Sequence, residues 1–486
     1  MEGKSPTLVR ATVRGTAWSY VSFYSGKLMV FISTIILARL LSKDDFGVAG
    51  YALVVIAFLD VFSDLGIGAA LIYQHDDPES TNTAFWLGMF VSSMLCVLTF
   101  AAAPLAGRFF NDARAVDVTR VLALNFPLAA LGNIHDMLLR KKLSFSKKFV
   151  PDFAKSMSKG VVSIALALLG FGTWSLIVGH LTSTVVSVIA YWKVMPWRPT
   201  FHFSFSHARE LLSYGLHIVA VNGLGIVLSD SDYLLVGRFL GAAALGVYSV
   251  AFRIPDLLIM QFCSIISKVV FPVFSRMRDD ARALAHGFAV TTRYVSLVTV
   301  PLGLGMALVA RPLVLVAFTD KWIEAVPVIE AIAVYSLFLS LSYNAGDVYK
   351  AQGRPNILTY LSLMRVVVLV PGLFWATTVA RSVPAVGWVH ATVAFAAGLV
   401  ELTVACLLLK MSIKDLTAAL APAFGSGALM AAVVWALMRM LPTANPWLQL
   451  IAAVAVGGLV YGGSLWLLQR DLVLSAGKTL HAALVR

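Results

Sequence analysis

The chain has 486 residues, of which 59% are hydrophobic and 13% charged, with a mean hydropathy of +0.84 and a formal net charge of +13. A soluble domain is about 25% charged and cannot hide so much apolar surface in one core, so a soluble enzyme is excluded and no nucleic-acid partner is expected. Repeated apolar stretches of about 20 residues, rather than alternation over about ten, exclude a membrane β-barrel and leave an all-α, multi-pass integral membrane protein.

In chain order, helical spans are expected at 16–40, 46–72, 84–106, 117–138, 149–171, 173–192, 210–236, 245–270, 284–310, 325–346, 355–378, 384–409, 417–438 and 446–468, fourteen in all. Lys4, Arg10 and Arg14 lead into a long first span without a small-residue cleavage site, so that span is expected to be retained. Cys96, Cys263 and Cys406 each fall inside an apolar span and read as small buried hydrophobes rather than as a redox or metal framework.

Short cytoplasmic links of membrane proteins carry an excess of Lys and Arg, and here the excess follows the even-numbered spans. RKKLSFSKK (140–148) holds five cations in nine residues. Lys193, Arg198 and Arg209 follow the sixth span, Arg276, Arg278 and Arg282 the eighth, Lys350 and Arg354 the tenth, and Lys410 and Lys414 the twelfth. An odd-numbered link such as SKDD (42–45) balances its cation with acids, and HDDPES (75–80), an even-numbered link, runs against the trend. Both termini are therefore expected on the cytoplasmic side.

Residues 38–52, ARLLSKDDFGVAGYA, repeat as residues 237–251, GRFLGAAALGVYSVA. At a constant offset of 199 the two share Arg39/Arg238, Leu41/Leu240, Gly47/Gly246, Val48/Val247 and Ala52/Ala251, five positions in fifteen, where chance gives about one. The copies close the first and seventh spans and open the second and eighth, so the repeating unit is six helices. Two parallel six-helix lobes follow, 1–199 and 200–410, with 411–486 as two additional helices and a cytoplasmic tail. Arg39 and Gly47 themselves read as a helix-end anchor and a turn, and as markers of duplication rather than a site.

A charge inside a span costs a few kcal/mol or more and faces a protein interior or an aqueous cavity. Lys27, Lys159, Arg253, Arg293 and Arg365 fall well inside their spans, in both lobes, and suit a compact polyanion, with interhelical pairing, snorkelling and anionic phospholipid as the rival explanations for each. Asp60 and Asp64 lie one turn apart on the second span, and Asp230 and Asp232 sit near the end of the seventh; they read as charge partners or as sites for a coupling proton or sodium ion. His180, His217, His390 and Glu401 read as packed hydrogen-bonding groups. Pro127, Pro255, Pro301 and Pro371 fall within spans and are expected to kink them. HFSFSHARELLSYG (202–215) reads either as an interfacial helix linking the lobes or as a polar loop entering the seventh span. No nucleotide loop, metal-ligand cluster or nucleophile–base constellation is evident, so ATP hydrolysis by this chain is not expected.

LARLLSKDDFGVAGYA, FSDLGIGAALI (62–72), LLRKKLSF (138–145), LVGRFLGAAALGVYSVAFRIPDL (235–257), VVFPVFSRMRDD (269–280) and YKAQGRPN (349–356) together resemble the polysaccharide transporter family of the multidrug/oligosaccharidyl-lipid/polysaccharide superfamily. The resemblance covers about the first 410 residues. It implies a flippase fold of twelve core helices in two lobes, in a bacterial inner membrane, moving an undecaprenyl-pyrophosphate-linked oligosaccharide between leaflets for capsule, exopolysaccharide or O-antigen. It also implies membrane lipids as surroundings and a polysaccharide polymerase with chain-length machinery as partners. Two alternatives share the composition. A drug/cation antiporter of the same superfamily would line its cavity with acids rather than bases, and a membrane glycan polymerase or ligase would need a sizeable extracytoplasmic loop, whereas no odd-numbered link exceeds about fifteen residues.

Overall fold

The computed structural model describes residues 26–63, 66–67, 71, 77–142, 144–442 and 444–468, and these contain helices and turns but no strand. The helices are α1 (26–40), α2 (Lys43–Ser63), α3 (Pro78–Phe110), α4 (Arg114–Ala123), α5 (Asn125–Lys141), α6 (Phe145–Leu168), α7 (Thr173–Val194) and α8 (Phe205–Leu240). They continue as α9 (Ala242–Pro255), a π-helical turn (Asp256–Met260), α10 (Gln261–Arg276), α11 (Ala281–Leu308), α12 (Ala310–Ala317), a 3₁₀ turn (Asp320–Ala325), α13 (Val326–Ser342), α14 (Ala345–Ala351), α15 (Pro355–Thr378), α16 (Val383–Leu409), α17 (Ile413–Met440) and α18 (Pro446–Leu468). Among the described residues, eleven helical segments are long and apolar enough to cross a membrane. The remaining expected spans coincide with α1, α6 and α8. Residues 16–25 of the first lie outside the described residues, and α6 carries Asp152, Lys155 and Lys159 even in its most apolar stretch.

Three departures from the expected spans have local causes. The fourth span is two helices, α4 and α5, broken at Leu124. Pro127 lacks an N–H and its ring opposes the carbonyl of residue 123, which favours a break there. The eighth span changes register after Pro255, where a π turn intervenes before α10 and the Gln261 N–H bonds back to the Asp256 carbonyl. The segment 202–215 is neither a separate interfacial helix nor a loop throughout: Phe205 begins α8, which runs for 36 residues without a break. The fifth and sixth spans separate as expected, by a turn in which Gly170 and Gly172 take φ of +83° and +52°.

Contacts divide the chain into two compact units, Met1–Ser249 and Val250–Arg486. In the first, α6 packs along α7, α3 contacts α4, α5 and α8, and α2 lies against α4 and α8. In the second, α13 packs along α16, α11 contacts α13 and α17, α15 lies against α16, and α18 packs on α17. Lipid offers no hydrophobic drive for helix association, so close approach rests on small residues and polar rungs. Ser33 Oγ occupies the space beside Gly160, and Ser163 Oγ that beside Gly179. Thr184 Oγ1 donates to Asn125 Oδ1 at 2.8 Å, and Ser340 Oγ to Thr299 Oγ1 at 2.8 Å.

The tightest approach joins the two copies of the repeated sequence, through α2 and the first turns of α9. A Cβ on Gly47 would sit 1.7 Å from the Ala242 carbonyl oxygen, and one on Gly246 would sit 1.9 Å from the Lys43 carbonyl oxygen. Each contact is the image of the other at the offset of 199, since Lys43 corresponds to Ala242 and Gly47 to Gly246. The turn itself is made one residue earlier, at Ser42 and at Gly241 with φ +85°. These glycines thus permit a backbone crossing rather than the expected turn. Arg238 is the helix anchor that was expected of the repeat, donating to the Arg108 and Phe109 carbonyls at the end of α3.

Links meet by parity. At one end of the first unit, Thr173 Oγ1 donates to Asp45 Oδ1 at 2.9 Å, Arg114 bridges Asp44 and Asp112, and Gly246 abuts Lys43. The Arg114 hydrogen bonds hold the Asp112 carboxyl below the usual carboxylate range. At the other end, Thr200 N donates to Asn82 Oδ1 at 2.8 Å, Trp86 Nε1 to the Thr200 carbonyl at 2.8 Å, and His207 Nε2 lies 3.2 Å from Asp77 Oδ2. Odd links touch odd links and even links touch even links, as an uninterrupted alternation of spans requires. The acidic second link has its own reason: Asp77 accepts from Glu79 N and Ser80 N as the N-cap of α3.

Candidate functional site

The five intramembrane cations divide between the units. Lys27 and Lys159 belong to the first, Arg253, Arg293 and Arg365 to the second. Lys27 follows Gly26, which faces Ser156 of α6, so α1 delivers Lys27 beside the helix that carries Lys155 and Lys159. Lys159 Nζ lies 3.4 Å from His180 Nδ1 on α7. With Nδ1 unprotonated, the imidazole can accept from the ammonium, so His180 stands as a neighbour of Lys159 rather than as a second cation.

In the second unit, Arg365 stands ten residues into α15 with its Nη2 3.5 Å from Tyr335 Oη and its guanidinium 6.0 Å from that ring centroid. Tyr335 is T-stacked on His390 at 5.1 Å, and Phe252 lies 5.9 Å from Tyr335 and 6.3 Å from His390. Among the described residues no carboxylate lies within 4 Å of Arg365, and its buried Nε has no hydrogen-bond partner. Glu401 on α16 is its electrostatic neighbour at longer range. Arg253 follows Phe252 in the chain and precedes Pro255 and the π turn, whose Asp256 accepts from Gln261 Nε2 at 3.2 Å. The aromatic–histidine cluster that backs Tyr335 beside Arg365 is not visible in the sequence, because Phe252, Tyr335 and His390 come from three spans with nothing in their spacing to link them. Pro255 was the available signal for the π turn, and Asp256 beside it went unused.

Arg293 is elsewhere: it lines a cavity between α11 and α17 with His286 and Asp415.

The acids separate in the same way. Asp60 is exposed and accepts from Ser63 Oγ at 2.7 Å, while Asp64 lies outside the described residues. Asp232 is 1% exposed, accepts from the Tyr248 hydroxyl and from Tyr233 N, and so ties α8 to α9. Asp230, two residues away and half-buried, is not drawn into that tie. His390 is buried as expected, and the side chain of His217 lies outside the described residues.

A second polar cluster, at the end of the first unit that carries the RKKLSFSKK link, was not anticipated. Lys148 pairs with Asp136 and with Asp152 Oδ1 at 3.2 Å, Arg140 pairs with Asp136 at 2.8 Å, and Tyr191 Oη lies 2.9 and 3.0 Å from Asp136 and Asp152. It binds α5, α6 and α7 together, so two of the five cations in that link are structural. Its signal was the pair of acids inside the expected fourth and fifth spans.

Comparison with known proteins places this architecture. Residues 36–327 match the family described as polysaccharide biosynthesis protein. The succinoglycan biosynthesis transport protein ExoT of Rhizobium meliloti is 28% identical over 96% of both chains. The teichuronic acid biosynthesis protein TuaB of Bacillus subtilis is 27% identical over 80% of this chain and 81% of its own. The lipopolysaccharide biosynthesis protein WzxC of Escherichia coli is 24% identical over 76% of this chain and 75% of its own. Among solved structures, the lipid II flippase MurJ in an inward closed conformation superposes with a TM-score of 0.79 at 13% identity, over 94% of this chain and 99% of that one. An inward-facing multidrug resistance transporter of the MATE family gives a TM-score of 0.64 at 16% identity, over 79% and 94%. With the fold of the MOP superfamily transporters and a family match over more than half its length, the chain is a multi-pass membrane protein belonging to the polysaccharide biosynthesis protein family.

Proposed function

We propose that the protein is a flippase, not an enzyme, which carries an undecaprenyl-pyrophosphate-linked oligosaccharide repeat unit from the cytoplasmic to the periplasmic leaflet of a bacterial inner membrane by alternating access. The observation that carries this reading is Arg365, a guanidinium deep in a span, beside Tyr335 and without a carboxylate within 4 Å among the described residues. A cation at that depth without a direct salt bridge suits an anionic ligand, and a pyrophosphate matches the bidentate donors of Arg and the point charge of Lys. Lys27, Arg253 and Arg365 are assigned to the pyrophosphate, with Lys159 as an auxiliary beside His180. In this reading the moving lobes are 1–199 and 200–410, with 411–486 as an appendage, and both termini lie in the cytoplasm beside the basic links. The α2–α9 crossing then belongs to the periplasmic end. Asp60, Asp64, Asp230 and Asp232 are the acids for a coupling proton or sodium ion or for charge pairing, and of these Asp230 is half-buried and stands apart from the Asp232–Tyr248 tie. A polysaccharide polymerase and its chain-length machinery would take the product.

Cells lacking the protein should accumulate the lipid-linked repeat unit with its glycan on the cytoplasmic side, and the protein should restore export. In a cysteine-free background, bridging Lys43→Cys to Ala242→Cys should abolish export reversibly with reductant. Full export from a quantitatively bridged sample would sink alternating access. No accumulation in the deletion strain would sink the flippase reading itself.

A further inference from the structure

A cavity of about 400 Å³ lies between α11 and α17, lined on α11 by His286, Ala289 and Arg293, on α17 by Asp415 and Ala418, and by Met411 of the link that precedes α17. Both helices start at ends flanked by basic links, and residues 286, 289, 290 and 293 form one face of α11. Arg293 stands twelve residues from Ala281, about 18 Å by helix rise, and long helical side chains lean toward the N-terminus, so its guanidinium is directed back up the cavity toward His286. Its Nε is buried without a hydrogen-bond partner, and among the described residues it forms no salt bridge, although Asp415 lines the same cavity. An arginine at this depth that leaves an available acid unpaired is waiting for a group that fits between them.

We propose that this cavity binds the headgroup of a membrane aminophospholipid, its phosphodiester on Arg293 and its ammonium toward Asp415. The order of charges supports this, since the phosphate of such a lipid lies deeper than the amine and Arg293 lies deeper along its helix than Asp415 along its own. The charge count supports it as well. One cation and one acid sum to zero, which suits a zwitterion, whereas the diphosphate assigned to Arg365 would meet Asp415 as a repulsive wall. Exposed Tyr294 and Val298 continue along α11 below the cavity and offer an apolar path for an acyl chain. Arg293 is thereby removed from the cations available to the transported substrate, and its lipid becomes a resident that props α17 against α11.

The test is native mass spectrometry of the full-length protein, titrated with phosphatidylethanolamine, phosphatidylglycerol and a polyprenyl diphosphate. The wild type should retain phosphatidylethanolamine several-fold more strongly than phosphatidylglycerol. Arg293→Gln should lower retention of both at least tenfold, Arg293→Lys should keep most of it, and Ala289→Leu, which fills the cavity and leaves both charges, should lower it as the Gln variant does. Asp415→Asn, at an exposed position, should erase the preference for the amine while leaving phosphatidylglycerol bound. Equal retention of the two phospholipids by the wild type, or undiminished retention in Arg293→Gln and Ala289→Leu, overturns the proposal. So does polyprenyl diphosphate binding that depends on Arg293, which would return the cavity to the substrate. Retention is read without export, so its failure and the failure of the flippase reading are separate results.

Discussion

Arg365 shows how a residue identified by depth alone acquires a testable role from its neighbours. Tyr335, itself packed against His390 and Phe252, lies beside the guanidinium, while Glu401 is near enough to feel its charge without forming a salt bridge. If Arg365 grips an anion, Arg365→Lys should keep part of the export activity, Arg365→Gln should lower it about tenfold, the loss of about one charged hydrogen bond, and Arg365→Glu should abolish it. A structural pairing with Glu401 makes a different demand, because the costly state is then the unpaired buried charge. In that case Arg365→Gln combined with Glu401→Gln should recover what the single variant loses. Glycan export in cells with matched membrane levels decides between them, and rescue by the double variant would remove Arg365 from the site. The sequence made the cation legible because charges are rare in apolar spans. It hid the cluster, because aromatic residues are ordinary in such spans and only the tertiary fold selects these three.

At the scale of elements, the repeated stretch carried more than evidence of duplication. Its length and offset point to a six-helix unit, but the mutual contact of the two copies could not be read from one dimension. Gly47 was taken for a turn because glycine and a chain reversal coincide there; the reversal is at Ser42, and the glycine is needed where a carbonyl presses on the helix. Gly47→Ala and Gly246→Ala should each cost about 1–3 kcal/mol at this crossing, the range for overpacking a tight contact, and should raise labelling of a cysteine at Ala243. Because one separation of α2 from α9 relieves both clashes, the double variant should cost little more than either single. Additive losses in thermal melting would show that the two glycines act independently. The break at Leu124 and the π turn after Pro255 were half legible: proline announces that a helix cannot run on unchanged, but not whether it breaks, bends or widens.

For the whole molecule, basic links and link contacts are independent lines that agree. The first comes from the sequence and distinguishes two sides of a membrane; the second comes from the fold and distinguishes two ends of a bundle without saying which faces the cytoplasm. Thr173 meets Asp45, Arg114 meets Asp44 and Gly246 meets Lys43 at one end, while Thr200 meets Asn82 and Tyr191 meets Asp152 at the other. Losing or merging one span would bring an odd link against an even one, so the alternation from the first span to the eighth is fixed by contact. The side expected to be cytoplasmic is the one that carries RKKLSFSKK, where Arg140 and Lys148 are neutralised by Asp136 and Asp152 but Lys142 and Lys147 form no salt bridge among the described residues. In a cysteine-free chain, a membrane-impermeant thiol reagent should label Ser144→Cys only after the inner face is opened and Ala243→Cys in intact spheroplasts. Because these positions lie on links four and seven, parity predicts opposite accessibility whichever way the molecule is inserted, and the positive-inside bias predicts which is which. The reverse pattern would keep the fold and invert the direction of transport, whereas labelling of both from one side would contradict the alternation itself.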